Sequence, residues 1–144
     1  MTIIALIALL AAPAAQANDL PLCDFYKEKS KELGCSSDNY LTVFGEKYCR
    51  EFVELEKDFT PAGVKTFAHI RGCLIESLKE APELTCANAR DIAEHSHVKC
   101  YRGSGYCDLP GSDKWVVFRT VWKELFSSGF RSVVSRINED CANR

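Results

Sequence analysis

Eight cysteines in a chain of 144 residues constrain this sequence more than any other feature. They are Cys23, Cys35, Cys49, Cys73, Cys86, Cys100, Cys107 and Cys141, all beyond the amino-terminal leader. An even number of cysteines in a small secreted chain reads as a disulfide framework, here of four bridges. Each bridge contributes roughly 2–4 kcal/mol by restricting the unfolded chain. The rival reading is a metal site. Structural zinc sites draw two ligands from one tight turn, and no C-x-x-C pair exists here; Cys100 and Cys107, the closest two, have six residues between them. Eight cysteines allow 105 pairings, and spacing alone does not choose among them.

The compartment follows from the first seventeen residues, MTIIALIALLAAPAAQA. An apolar run from Ile3 to Ala12 is broken at Pro13 and followed by Ala15-Gln16-Ala17, the small-x-small pattern of a signal-peptide cleavage site. The run is short of the roughly 20 residues that span a bilayer. Residues 1–17 are therefore expected to be a cleaved signal peptide and residues 18–144 a single secreted domain. The formal net charge is −2, with both signs interspersed. That pattern excludes the basic stripe of a nucleic-acid binder and supplies no polybasic patch for anionic lipid.

Helix signals dominate the rest of the chain. Asp19 and Pro21 start a helix through Cys23, Phe25 and Tyr26 that Gly34 stops. A second runs from about Tyr40 to Asp58, with Leu41, Phe44, Tyr48, Phe52 and Leu55 at helical spacing; Gly45 within it costs about 1 kcal/mol relative to Ala. Thr60 caps a third with Pro61 at its first position, and Val64, Phe67, Ala68, Leu74, Ile75 and Leu78 mark its buried face before Pro82. A fourth begins near Thr85, carries Ala89, Ile92 and Ala93, and reaches about Cys100. After the Pro110-Gly111 turn, Ser112 or Asp113 caps a fifth, with Trp115, Phe118, Val121, Trp122, Leu125 and Phe126 expected inward. Ser127-Ser128-Gly129 breaks it, and a last piece from Phe130 to about Asn138 carries Val133, Val134 and Ile137. The expectation is an all-α, compact, disulfide-stapled bundle of about five to six helices, with short connections that pack neighbours antiparallel.

Catalytic chemistry finds no foothold. Of the three histidines, His69 sits beside apolar residues as a structural histidine. His95 and His97 are two apart, about 200° around a helix, so they share neither ligand nor proton. No H-E-x-x-H zinc motif, G-x-S-x-G elbow or P-loop occurs. Four bridges leave no free thiol. Gly103-Ser104-Gly105 reads as the flexible link between Cys100 and Cys107. Glu54, Glu56 and Asp58, like Glu139 and Asp140, match no calcium loop and read as solvated charge. Asn39, Asn88 and Asn138 lack the hydroxyl residue of a glycosylation sequon. No enzyme activity, metal or cofactor is expected.

The block YCREFVELEKDFTPAGVKTFAHIRGC, Tyr48 to Cys73, resembles the stanniocalcins, a family of secreted helical hormones and regulators. Cys49, Phe52, Phe59, Gly63 and Cys73 fall in step with that family. Cys86, Cys100 and Cys107 repeat its spacing of thirteen and then six intervening residues, Cys100-Tyr101 matches its Cys-Tyr, and Cys141 lies where it places a further partner. The resemblance runs from Tyr48 to the carboxy-terminal cysteine. It implies four bridges: Cys23–Cys49, Cys35–Cys86, Cys73–Cys100 and Cys107–Cys141. The family's additional unpaired cysteine, which joins two chains, its sequon and its carboxy-terminal extension have no counterpart here, so no disulfide-linked dimer is expected.

The resemblance implies an extracellular, hormone-like regulator that binds a protein partner, with calcium and phosphate homeostasis as the associated process. Trp115 and Trp122, seven apart on one helical face, read as core; exposed, they would be anchors for such a partner. The alternative function is a secreted lipid-binding or membrane-active helical protein of the saposin kind, motivated by the aromatics from Trp115 to Phe130. Saposins, however, carry six cysteines in a different spacing.

Overall fold

The computed structural model describes residues 19–144; the expected signal peptide and its expected cleavage after Ala17 lie outside the described residues. Six α-helices occur among the described residues: α1 (Leu20–Glu32), α2 (Lys47–Glu54), α3 (Pro61–Lys79), α4 (Ala89–Arg102), α5 (Gly111–Val121) and α6 (Ser128–Ala142). No strand occurs among the described residues. A π-helical turn, Leu41–Glu46, leads into α2, and a 3₁₀ turn, Leu55–Asp58, leaves it; 3₁₀ turns also occupy Tyr106–Asp108 and Trp122–Phe126. The fold is a disulfide-stapled all-α bundle. No helix among the described residues is long and apolar enough to cross a membrane.

Local chemistry sets the helix ends. Gly34 takes a φ of +67°, which only glycine adopts freely. There its N–H reaches the Lys31 carbonyl at 3.0 Å while the Cys35 N–H reaches Ser30 at 2.9 Å, closing the last turn of α1. Thr85 and Asn88 bond reciprocally, each backbone N–H donating to the other's side-chain oxygen. That turn delays α4 to Ala89, four residues past its expected start. Asp113 does not cap its own helix, which begins instead at Gly111 behind Pro110.

Asp113 acts on α3. It is fully buried, and its carboxylate accepts from the Thr60 N–H at 2.9 Å and the Thr60 hydroxyl at 2.6 Å. Thr60 Oγ1 in turn accepts from the Gly63 N–H at 3.2 Å, so the cap of α3 is itself held by α5. Gly63 permits this approach: a Cβ there would lie 2.5 Å from Asp113 Oδ2.

Three groups of buried side chains lie between the helices. Cys23, Tyr26, Leu41, Ile75 and Leu78 centre the first, among α1, the π-helical turn, α3 and the start of α4. Gly45 earns its place here, because a Cβ would meet the Tyr26 ring at 2.5 Å. The second is aromatic, with Phe52 and Phe67 stacked at 5.4 Å and Phe59 4.8 Å from Phe67. The third joins Val98 of α4 to Val133 and Ile137 of α6. Of the acidic residues at the end of α2, Glu54 and Asp58 are exposed as expected, Asp58 pairing with Arg119, whereas Glu56 is half-buried against the buried Arg71; both pairs are at 2.6 Å.

The four bridges join Cys23–Cys49, Cys35–Cys86, Cys73–Cys100 and Cys107–Cys141, with Cα separations of 5.2 to 5.7 Å. They close loops of 26 to 51 residues, worth about 3–4 kcal/mol each in the loop-entropy account. Such bridges persist in oxidising compartments and are rare in the reducing cytosol.

Replacing Asp113 by Ala should lower unfolding stability by roughly 2–3 kcal/mol, since both bonds are charge-assisted and buried. Gly63→Ala should do comparable damage by pushing the carboxylate off Thr60. The double variant should lose clearly less than the two single losses combined, because the methyl then has no carboxylate to strike. Urea unfolding of all four proteins completes the cycle; strict additivity would refute the clamp.

Candidate functional site

The orientation of α5 creates the most exposed aromatic surface of the molecule. Asp113 must face inward to reach Thr60. Residues three and four further on share its side of a helix, and these are Val116 and Val117, both buried. Trp115 and Phe118 therefore turn outward, with 60 % and 49 % of their surfaces exposed, and in the 3₁₀ turn that continues α5 Trp122 and Phe126 are 45 % and 80 % exposed. This corrects the sequence expectation that Trp115, Phe118, Trp122 and Phe126 point inward; of that set only Val121 and Leu125 are partly covered. Two apolar stripes run along this helix, both at helical period, and a buried carboxylate chooses between them.

The outward rings pair among themselves. Trp115 and Phe118 stack with centroids 5.5 Å apart, and Trp122 meets Phe126 edge-on at 6.3 Å. Basic side chains frame them: Lys123 Nζ lies 5.9 Å from the Trp122 ring, and Arg119 bonds to Asp58. Below the stripe, the Tyr48 hydroxyl donates to the Glu124 carboxylate, tying the 3₁₀ turn to α2. Burial, and then this carboxylate, push the Tyr48 phenol above its ordinary value. Exposed contiguous apolar surface of this kind marks interaction sites, and Trp is the residue most enriched among binding hot spots.

The histidines stand apart. His69 is exposed on α3, in a shallow groove with Lys65, Ser104 and Asp108. His95 is exposed, its Nδ1 2.8 Å from the Asp91 carbonyl. His97 is turned into the aromatic interior, its Nδ1 2.7 Å from the Ala93 carbonyl and its ring stacked on Tyr101 at 6.2 Å. Among the described residues no three His, Cys, Asp or Glu side chains gather as a metal site.

The interior around His97 is not filled. A cavity of about 80 Å³ is lined by Phe44, Tyr101, Tyr106, Val133 and Ile137 among others. A neighbouring one of about 60 Å³ has Tyr26, Ile70, Arg71 and Leu74 in its wall. Phe44, Tyr48, Phe52, His97 and Tyr101 line both. Tyr48 and Phe52 at helical spacing on α2 are visible in the sequence, but a gap between large rings leaves no mark in it. No family model, curated protein or solved structure matches the chain.

Burial pushes the His97 imidazole below its ordinary value, outweighing the carbonyl bond that favours its charged form. Arg90, Glu94 and Glu124 line the adjoining void without bonding to the ring. Below the ordinary value of about 6.5, the unfolded chain takes up a proton at this site before the folded chain does. Stability should thus fall as the pH drops from 7 to 5. His97→Gln should flatten that slope, measured by urea unfolding at intervals across the range; unchanged slopes would mean His97 contributes nothing to it.

Proposed function

We propose that this chain is a secreted, stanniocalcin-like regulator that acts by binding a protein partner on the aromatic face of α5. The observation that carries the reading is the exposure of Trp115, Phe118, Trp122 and Phe126 together, on a helix whose rotation is fixed from within. A rigid scaffold presents these rings with little ordering left to lose on binding. The four bridges support an extracellular setting, and their pairing coincides with the one the family resemblance implies. The resemblance extends the reading to hormone-like action and to calcium or phosphate homeostasis. Binding rather than catalysis is its basis, with His69 and His95 exposed on different helices, His97 turned into the interior, and no partner shared among them.

One observation favours a second reading. Lys123 and Arg119 flank the rings, and aromatic residues beside basic ones also suit the headgroup region of a bilayer. The alternative is therefore a secreted lipid-binding or membrane-active protein that uses the same face.

The two readings separate in a paired experiment. Trp115→Ser with Trp122→Ser should keep the fold and all four bridges at a cost of about 2–3 kcal/mol, because each ring is only about half covered. A photo-crosslinker at Phe118, used in extracellular fluid, should label a discrete protein that excess wild type displaces and the double variant does not. A loss of affinity of at least about thirtyfold is expected for hot-spot aromatics. Flotation with phosphatidylserine vesicles, abolished in the double variant and without protein labelling, would instead establish the membrane reading.

A further inference from the structure

Arg71 is the most demanding group in the interior. Its side chain is only 5 % exposed. Nη2 donates to Asp19 Oδ2 and to Glu56 Oε1, both at 2.6 Å. Nε and Nη1 are buried and have no acceptor among the described residues. A buried donor left unpaired costs roughly 1–3 kcal/mol, and more when the group is charged. Two on one side chain call for a physical explanation.

The location of Arg71 supplies one. It stands in the wall of the smaller aromatic cavity, which shares five side chains with the larger one. The far wall of the larger cavity is mostly aliphatic, Val133, Val134 and Ile137, with Asn138 beside them. Two adjoining cavities thus share a wall of rings, the larger one mostly apolar on its far side and the smaller one walled in part by a guanidinium with unmet donors. A single water needs about 10–15 Å³ of such volume, and both cavities exceed this several-fold. A dry cavity of about 150 Å³ admits a benzene-sized guest, and the two cavities together are of that order. The chemistry of the walls divides in the same sense: the Val133, Val134 and Ile137 side of the larger cavity gives water few partners, while the Arg71 side of the smaller one asks for an oxygen.

Charge decides which oxygen. Asp19 and Glu56 already place two carboxylates on one guanidinium. A ligand carboxylate would bring a third negative charge into a low-dielectric interior, where an uncompensated charge is strongly disfavoured. A ketone or alcohol oxygen accepts from Nε or Nη1 and adds none.

We propose that this interior binds a small uncharged molecule whose apolar body fills the Val133–Ile137 side of the larger cavity and whose single oxygen acceptor meets Arg71. The aromatic side chains shared by both cavities then grip its middle. This site is separate from the α5 face, and either could fail without the other.

The test uses the secreted, disulfide-bonded protein, isotope-labelled, titrated with 2-heptanone, heptane and heptanoate. Nuclear magnetic resonance reads the Arg71 Nε–H signal and the methyl signals of Val133 and Ile137. Heptanone should shift all of them saturably, with at least tenfold tighter binding than either of the other two, and should give contacts between its protons and the Ile137 methyls. Trp115→Ser with Trp122→Ser should leave these shifts unchanged, whereas Val133→Phe should abolish them. Because Val133→Phe could disturb folding, the wild-type Arg71 signal is decisive. No saturable shift up to the solubility of heptanone would overturn the proposal. So would equal binding of heptane with the Arg71 signal unmoved, since the guanidinium would then be served by water alone. Tightest binding by heptanoate would overturn the neutral head group.

Discussion

A single buried carboxylate fixes the arrangement on which the exposed aromatic surface depends. Asp113 is without solvent and holds both the N–H and the hydroxyl of Thr60. A carboxylate in that position is tolerable only while those donors stay in place. The helix that carries it therefore cannot rotate, and the start of α3 cannot drift away from it. Everything exposed on α5 is exposed because of this constraint. The rings face water not for want of apolar character but because Val116 and Val117 occupy the inward side that Asp113 dictates.

The sequence was informative wherever a residue acts through its immediate neighbours. Thr60-Pro61 announces the start of α3 in the terms in which it forms, a hydroxyl cap and a ring that needs no donor. Gly34 stops α1 by its own backbone conformation, and the spacing of Leu41, Tyr48 and Phe52 identifies side chains that are indeed buried. The all-helical class followed from these local cues. What failed was the choice between two stripes on α5, because the deciding bond joins residues 53 apart. A signal was nonetheless there: apolar residues surround that helix on more sides than one buried face can use. The end of α2 misled in a similar way. Glu56 looks like surface charge until Arg71, fifteen residues on, is seen to need it. His97 was set aside for lacking a partner at catalytic spacing, whereas its place in the aromatic interior depends on helices far apart in the chain.

Arg71 also shows how polar and apolar packing combine in a small domain. Its Nη2 gathers the beginning of α1 and the end of α2 onto α3 through Asp19 and Glu56. Its remaining donors find no acceptor among the described residues, although phenol and imidazole rings line the same cavity. The same residue thus ties three elements together and leaves the interior chemically unsymmetrical. Large, stiff side chains on four elements around it pack ring against ring, as Phe44 does on Tyr48 at 4.7 Å and Tyr101 on Tyr106 at 4.9 Å. Such rings fill space less completely than branched aliphatics would.

The order in which the bridges follow one another along the chain has its own consequence. Cys23–Cys49, Cys35–Cys86 and Cys73–Cys100 overlap in succession, while Cys107–Cys141 begins only after all three have closed. A protease that cuts once anywhere between Cys23 and Cys100, or between Cys107 and Cys141, leaves its two products covalently attached. Between Cys23 and Cys141, only a cut between Cys100 and Cys107, where Gly103-Ser104-Gly105 runs, crosses no bridge. Such a cut divides the molecule into an interlaced amino-terminal block and a carboxy-terminal hairpin carrying the aromatic face. Noncovalent contacts alone then join the pieces, among them the packing of α4 on α6 and the bond from Arg102 to Asp140. Covalently, the protein is two units in tandem, and the glycine turn is the one place where they can be parted.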